Sequence, residues 1–174
     1  MKLNKNLVLV GMMGSGKSLI GKILSKKLDF DFIDTDKKIE AIEKKTISEI
    51  FEHNGEKYFR NIEEITSLKL LKLNKKVIAL GGGGYINSAI RKCAQKKCVT
   101  FWLDWRNDTL VNRIKYSKKR PLAMKLGNLE LHKLINKRST IYNLSDYKIS
   151  CDKLDKKQIV EKIINFYEKS KNTN

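Results

Sequence analysis

Residues 11–18 form a glycine-rich turn that reads Gly11-Met12-Met13-Gly14-Ser15-Gly16-Lys17-Ser18. It matches the pattern G-x-x-x-x-G-K-[ST] at every fixed position. In this pattern the glycines let backbone N–H groups turn inward around a phosphate, at the positive end of the helix that follows. The lysine brings a positive charge to the β- and γ-phosphates, and the last hydroxyl can ligate Mg²⁺. The sequence therefore predicts a nucleoside-triphosphate site.

The residues on either side of this turn fit the secondary structure that it requires. Leu7 to Val10 form a wholly apolar run, which is typical of a buried parallel strand. From Lys17 to Leu28 apolar residues recur at helical spacing. We therefore expect a buried strand, the phosphate-binding turn and an amphipathic helix in direct succession.

Further along the chain, short apolar strands alternate with amphipathic helices. The other predicted strands are Phe30–Ile33, Val77–Leu80, Cys98–Leu103 and Tyr147–Cys151; the other predicted helices are Ile39–Phe51 (in one or two pieces, with Thr46 and Glu49 as a capping box), Gly55–Leu73, Thr109–Tyr116, Leu129–Leu144 and Lys156–Tyr167. This alternation predicts an α/β fold, a five-stranded parallel sheet with helices on both faces. No linker divides residues 1–174, so we expect a single domain.

The composition narrows the function classes. The chain has 37 basic and 19 acidic residues, a formal net charge of +18. The lysines are scattered in pairs and form no run of 5–8, which favours a solvated surface over a nucleic-acid footprint. A nucleic-acid-binding protein that hydrolyses nucleotides remains the alternative from a different class.

No apolar stretch approaches the ~20 residues that span a bilayer. The three cysteines form no CxxC pair, which is typical of cytoplasmic proteins with reduced thiols.

Two acids follow the second predicted strand, in the order Asp34-Thr35-Asp36. If the segment is still extended, both carboxylates point off the carboxyl edge of the sheet toward the phosphates. Asp34 would then be the acid nearer the magnesium beside Ser18, and Asp36 could accept a hydrogen bond from a substrate hydroxyl. The alternative is that Asp36 caps the helix near Ile39.

A run of four glycines, Gly81 to Gly84, ends the third predicted strand at the same edge of the sheet. Glycines cost backbone entropy without adding packing, so the missing side chains could make room for a ligand ring; a plain loop is the alternative. Arg60, Arg120 and Arg138 are three of only six arginines in a chain with 31 lysines. A substrate carboxylate together with a triphosphate would explain such forked cations in one cleft, whereas any single one could form a surface salt bridge.

Together these residues resemble the shikimate kinase family, P-loop enzymes that phosphorylate the 3-hydroxyl of shikimate with ATP. The similarity runs from about residue 7 to residue 165. It rests on the order and spacing of Gly11–Ser18, Phe32-Ile33-Asp34-Thr35-Asp36 with Ile39-Glu40, Phe59-Arg60 with Glu63 and Glu64, the glycine run, Arg120-Pro121-Leu122, and Arg138 with Tyr142. The resemblance implies a nucleoside-monophosphate-kinase-like fold with a substrate-binding insert (about residues 34–63) and a lid (about residues 114–128).

The resemblance also implies a role for each site residue, with ATP as co-substrate and Mg²⁺ as cofactor. The implied catalytic residues are Asp36, Lys17 and Arg120; the nucleotide-binding residues are Gly14, Ser15, Gly16, Lys17, Ser18, Leu19, Arg113 (on the adenine) and Arg120; the shikimate-binding residues are Asp36, Arg60, Gly81, Gly82, Gly83 and Arg138; the magnesium residues are Ser18 and Asp34. The chain departs from the family at the adenine loop, where it reads Cys151-Asp152-Lys153-Leu154 instead of carrying an arginine and a proline.

The predicted partners are small molecules, shikimate and ATP, with neither nucleic acid nor membrane. We expect a monomer in the cytoplasm. The nearest alternative is another small-metabolite kinase of the same fold, a gluconate-type or nucleoside-monophosphate kinase. The set of Asp36, Arg60, the glycine run and Arg138 argues against it, because a neutral sugar or a nucleotide would not need two guanidinium forks for one carboxylate.

Overall fold

The computed structural model describes residues 5–115 and 126–172. Its sheet has five parallel strands in the order β2-β3-β1-β4-β5. The strands are β1 (Asn6–Val10), β2 (Asp31–Asp34), β3 (Lys76–Ala79), β4 (Cys98–Asp104) and β5 (Tyr147–Ser150). The predicted five-stranded parallel sheet is confirmed, with each strand within one or two residues of the expected bounds.

Seven helices lie within the described residues, together with a short 3-10 turn at Gly84–Ile86. They are α1 (Lys17–Leu28), α2 (Thr35–Glu43), α3 (Ile47–Leu70), α4 (Ser88–Lys97), α5 (Asn107–Lys115), α6 (Asn128–Tyr142) and α7 (Lys156–Asn172). The prediction of α1 is confirmed at both ends. In the part of the chain that the structure describes, no helix combines the length and the apolar character that crossing a membrane requires.

The core lies on both faces of the sheet, as the wholly apolar β1 requires. Val8 and Val10 face a cluster to which α3, α4, α5 and α6 contribute. Leu7 and Leu9 face the opposite cluster, built with α1 and α7. Because side chains alternate along a strand, a strand buried on both faces must be apolar throughout. The predicted helical cover on both faces is confirmed.

The segment between β2 and β3 forms a small lobe of its own, in which α2 packs on the first half of α3 around Ile39, Ile50 and Phe59. The predicted capping box is confirmed, since Thr46 Oγ1 accepts from Glu49 N at 3.2 Å and the Glu49 carboxylate accepts from Thr46 N at 2.7 Å. The predicted helix start at Gly55 is confirmed, since two helical pieces of α3 meet at a kink there and Gly55 itself has the non-helical dihedral angles φ 79° and ψ 170°.

The helix α4 was not predicted from the sequence. Of its ten residues only Ile90 and Ala94 are buried, and four of the ten are Lys or Arg. Two buried positions are too few to show a helical period in the sequence. The N-cap is nevertheless well formed, because the Asn87 carboxamide oxygen accepts from Ala89 N at 2.8 Å and from Ile90 N at 3.1 Å.

Candidate active site

The predicted phosphate loop lies between β1 and α1, with its glycines in conformations that side chains rarely adopt. Gly14 and Gly16 have φ values of 79° and 89°, in the left-handed region that glycine enters without a steric penalty. Gly16 is also the N-cap of α1, and with no side chain it makes no cap hydrogen bond to the first turn. The first N–H groups of α1 and the positive end of its dipole are therefore available to an anion.

Lys17 is buried under this loop, with 8% of its surface exposed. Its Nζ donates to the carbonyl oxygens of Gly11 at 2.9 Å and Met12 at 3.0 Å, and it lies 3.4 Å from Ser15 Oγ. The ammonium group is thus held against the loop that would carry the phosphates. A triphosphate offers stronger, charged acceptors in place of these neutral carbonyls.

Ser18 and Asp34 meet beside the loop, since Ser18 Oγ donates to Asp34 Oδ2 at 2.6 Å. The expectation that residues 34–36 stay extended is wrong, because α2 begins at Thr35. Asp34 rather than Asp36 is the N-cap, and its Oδ1 accepts from Asp36 N at 3.1 Å. Asp36 lies in the first turn of α2. The backbone between the two acids is therefore helical and not extended. A hydroxyl and a carboxylate are hard oxygen ligands, and the pair fits Mg²⁺ bound chiefly through phosphates.

The glycine run follows β3 and is fastened to the start of α2. Thr35 Oγ1 accepts a hydrogen bond from Gly81 N at 2.8 Å and donates to Ala79 O at 3.3 Å. Thr35 is fully buried. The carboxyl ends of β2 and β3 are neighbours in the sheet, and this hydroxyl fixes the distance between the two predicted substrate-binding segments.

Three predicted substrate residues converge on successive glycines of this run. A Cβ added at Gly81 would clash with Asp36 Oδ1, and one at Gly83 would lie 2.5 Å from Arg60 Nη1. A Cβ at Gly82 would lie 3.8 Å from Arg138 Nη1. Gly81 and Gly83 thus leave the space that the side chains of Asp36 and Arg60 occupy, whereas Arg138 lies at an ordinary van der Waals distance from the Cβ position of Gly82.

Arg60 is held by two carboxylates on its own helix, and Glu63 is the buried one, with 2% of its surface exposed. Arg60 Nη1 donates to Glu63 Oε2 at 2.7 Å, while Glu56 Oε1 accepts from Nε and Nη2 at 3.2 and 3.1 Å. Burial raises the pKa of Glu63, the charge of nearby Asp36 raises it further, and Arg60 and Arg138 oppose the rise. Burial acts to lower the pKa of Arg60, but Glu63 and Glu56 outweigh it and raise that pKa.

Glu63 is the residue of this cluster to which the sequence analysis assigned no role. The signal was present, because residues three apart on a helix face the same side and Glu63 stands three residues after Arg60. What the sequence does not show is that this glutamate is buried between Arg60 and the glycine run.

Arg138 approaches the same place from α6. Its Nη1 donates to Gly82 O at 3.4 Å and lies 3.8 Å from Met12 Sδ. The hydroxyl of the buried Tyr142, one turn further along α6, also donates to Gly82 O. The phosphate loop, the glycine run and α6 are therefore in contact at one point of the sheet edge.

The remaining predicted nucleotide residues lie around the loop. Leu19 is 47% exposed in the first turn of α1, and Arg113 lies on α5 with its guanidinium over the ring of Trp105. The predicted lid arginine, Arg120, lies outside the described residues. Trp102 and Trp105 pack at the end of β4, where both contact the core clusters.

Comparison with known proteins agrees with this geometry. The sequence profile of the shikimate kinase family matches residues 13–168. Over 170 residues the chain is 38% identical to the shikimate kinase of Thermodesulfovibrio yellowstonii, which covers 97% of this chain and 98% of the relative. The shikimate kinase of a Sulfurihydrogenibium species is 39% identical over 160 residues, 92% of this chain and 96% of the relative. The chain belongs to the shikimate kinase family. It is therefore an ATP-dependent kinase, as predicted.

Solved structures extend the comparison to the fold. The shikimate kinase from Acinetobacter baumannii, solved in complex with shikimate, superposes with a TM-score of 0.90 at 27% identity and covers 97% of this chain and 96% of its own. The Aquifex aeolicus shikimate kinase gives a TM-score of 0.84 at 32% identity, covering 94% and 96%. A gluconokinase from Sinorhizobium meliloti shares only the fold, with a TM-score of 0.62 at 13% identity over 99% of this chain and 97% of its own. The gluconate-type alternative is accordingly not favoured.

Proposed function

We propose that this enzyme transfers the γ-phosphate of ATP to the 3-hydroxyl of shikimate, giving shikimate 3-phosphate and ADP. The observation that carries the proposal is the convergence of Asp36, Arg60 and Arg138 on the glycine run, next to the phosphate loop. One acid and two guanidinium groups suit an acceptor with hydroxyls at one end and a carboxylate at the other. The shikimate complex of the Acinetobacter relative supports the same acceptor.

On the nucleotide side, we propose that the loop N–H groups from Gly14 to Leu19 hold the β-phosphate. Lys17 would exchange its carbonyl acceptors for phosphate oxygens and so neutralise charge that develops during transfer. Ser18 and Asp34 would hold Mg²⁺, which when bound supplies positive charge to the β- and γ-phosphates. The Ser18–Asp34 hydrogen bond of 2.6 Å places both oxygens beside the first turn of α1.

On the acceptor side, we propose that the carboxylate of shikimate lies between Arg60 and Arg138. This orientation would place the ring against the backbone of Gly81, Gly82 and Gly83, where side chains are absent. Asp36, in the first turn of α2, would accept the proton of the attacking hydroxyl or orient it. Positioning and charge neutralisation provide most of the catalysis in phosphoryl transfer, and this arrangement provides both.

The other implied roles complete the proposal. Arg120 would enter with the lid, about residues 114–128, to neutralise the transferring phosphate, and Arg113 would stack on the adenine. We propose residues 1–174 as one domain, with residues 34–63 as the substrate-binding insert. We further expect a cytoplasmic monomer whose partners are small molecules, with neither nucleic acid nor a membrane among them.

The experiment is a coupled ADP-release assay with Mg²⁺ and a panel of acceptors: shikimate, gluconate and nucleoside monophosphates. We expect turnover with shikimate alone. Asp36→Asn keeps the size of the side chain. It should reduce kcat by about 10²-fold or more, which is the usual contribution of a positioned base. The affinity for ADP, measured by calorimetry, should stay within about twofold of that of the original chain. Turnover with gluconate or a nucleoside monophosphate but not with shikimate would refute the proposal.

A further inference from the structure

Trp105 connects two parts of the nucleotide site that are far apart in sequence. The residue directly follows β4 and is half-buried. Its indole Nε1–H donates to Ser15 O at 2.9 Å. The guanidinium carbon of Arg113 lies 3.7 Å from the centre of its ring. One side chain thus contacts the phosphate loop through its edge and α5 through its face.

The contact with the loop orients a peptide group. The Ser15 carbonyl and the Gly16 N–H belong to one planar trans peptide, so they point in opposite directions. Holding the carbonyl toward the indole therefore holds the N–H toward the phosphate side. This hydrogen bond restrains the backbone at a position where it is otherwise adaptable. Gly16 has a φ of 89°, and glycine passes readily between conformations.

The contact with Arg113 orients a guanidinium plane. An arginine side chain has many rotamers, and stacking on an aromatic face selects among them. Arg113 is exposed, so among the described residues the face turned away from the indole is accessible to a flat ligand. The backbone supports the arrangement, since a Cβ added at Gly14 would lie 3.5 Å from both Arg113 Cβ and Ile114 Cγ1. The loop and α5 are therefore in close contact.

From these contacts we infer that Trp105 is a positioning residue for the nucleotide. Through Ser15 it orients the Gly16 N–H toward the phosphates, and through Arg113 it presents a guanidinium plane to the base. It need not touch the nucleotide itself. The inference rests on the proposed function insofar as residues 14–19 and Arg113 bind ATP, but it is independent of which acceptor is phosphorylated.

Two substitutions separate the two contacts. Trp105→Phe removes the N–H donor and keeps an aromatic face under Arg113, whereas Trp105→Leu removes both. Because the loss of one hydrogen bond changes binding by about fivefold, we expect the KM for ATP to rise about fivefold in Trp105→Phe and about 20-fold in Trp105→Leu. These contacts persist in the transition state, so kcat should change by less than about twofold. The KM for shikimate should also stay within about twofold.

Competing ligands locate each effect. Inorganic tripolyphosphate has no base, so its inhibition constant should rise by the same factor in both variants. The inhibition constant of ADP should rise further in Trp105→Leu, because only that variant loses the plane under Arg113. Equal losses for ATP and shikimate, or an unchanged KM for ATP in both variants, would overturn the inference. Trp105→Phe keeps the assay decisive even if the leucine variant does not fold.

Fluorescence gives a readout that a purely structural role would leave unmoved. The chain has two tryptophans, so Trp102→Phe leaves Trp105 as the single indole. ADP should change its emission with saturation, while Trp105→Phe, which retains Trp102, should respond much less. An unresponsive Trp105 at ADP concentrations that fully inhibit turnover would contradict the inference. If the original chain responds to ADP but does not phosphorylate shikimate, the proposed acceptor fails and the inference stands.

Discussion

Arg60 Nη1 lies 2.7 Å from Glu63 Oε2, and the two residues differ sharply in exposure. The Glu63 side chain is 3% exposed, whereas the Arg60 side chain is 34% exposed. The glutamate is therefore a fixed internal anchor, and the guanidinium extends from it toward the glycine run. Glu56, the second partner, is 66% exposed and gives little fixed support because solvent competes for its charge. Glu63 thus determines where the Arg60 fork is presented.

This relationship predicts that Glu63→Gln weakens acceptor binding. Glutamine retains the shape and an acceptor oxygen but loses the charge, and a hydrogen bond between charged groups contributes about 1.5–3 kcal/mol. We expect the KM for shikimate to rise by about tenfold or more, with the KM for ATP nearly constant. Initial rates with each substrate varied in turn measure both.

Glu56→Gln is the matched control, because it removes the exposed partner of the same guanidinium. We expect less than about a twofold change in either KM, in line with the small contribution of exposed ion pairs. Equal effects of the two substitutions would show that the buried carboxylate does not position Arg60.

Gly83 offers a second way to move Arg60. A methyl group at Gly83 would lie 2.5 Å from Arg60 Nη1, so Gly83→Ala must displace the guanidinium. Because the displaced atoms are the end of a flexible side chain, the fold should tolerate the change, with a fall in Tm of less than about 3 °C. We expect the KM for shikimate to rise about tenfold, measured in the coupled assay.

Gly84→Ala is its neighbour control, since the added methyl group would lie 3.5 Å from Glu63 Oε1, an ordinary van der Waals distance. It should leave the KM for shikimate within about twofold of the original. A Gly83→Ala enzyme with unchanged shikimate kinetics would remove Arg60 from the acceptor site.

The sequence predicts local structure correctly where the contacts that determine it join residues close together in the chain. The phosphate loop and α1 are specified by eight consecutive residues and one amphipathic period. The capping box of Thr46 and Glu49 spans four residues, and the structure has both of its hydrogen bonds. In each case the backbone preference and the side-chain chemistry lie within one or two turns, so both are evident from the sequence without knowledge of distant contacts.

The sequence does not predict structure that depends on contacts between distant parts of the chain. Whether Asp34 continues the strand or caps the next helix depends on Thr35, which binds Ala79 and Gly81 44 and 46 positions away. The hydrogen bond from Trp105 to Ser15 joins residues that are 90 positions apart. No periodicity marks such pairs, and a single sequence therefore does not show them.

The magnesium assignment can be tested without disturbing the fold. Asp34 has two roles, since Oδ1 caps α2 and Oδ2 accepts from Ser18. Asparagine is as good an N-cap as aspartate, so Asp34→Asn should keep the cap and lose the carboxylate. We expect the Mg²⁺ concentration for half-maximal rate to rise about tenfold with Tm nearly unchanged. Asp34→Ala should show the same metal effect and also lose about 1 kcal/mol of stability with the cap. An Asp34→Asn enzyme with unaltered Mg²⁺ dependence would refute this assignment.

The three thiols should differ in reactivity because of burial. Burial raises the pKa of Cys98 and of Cys151 to about 12, so both thiols stay protonated at pH 8. Cys93 is only partly buried. Titration of the native enzyme with a chromogenic disulfide at pH 8 should therefore show Cys93 reacting first. Cys98 and Cys151 should become reactive only when denaturant is added; rapid reaction of all three would contradict their burial.

The same two thiols predict how stability changes in alkali. A thiol in the unfolded chain loses its proton near pH 8.5, whereas Cys98 and Cys151 in the folded protein keep theirs to about pH 12. Over this interval the folded state binds more protons, so the free energy of unfolding falls as pH rises. Cys151→Ala provides the comparison that isolates the contribution of one thiol from every other effect of alkali. We expect the Tm of the original chain to fall more steeply than that of Cys151→Ala between pH 8.5 and 10, as followed by circular dichroism. Parallel slopes would mean that this thiol ionises as readily in the folded protein as in the unfolded chain.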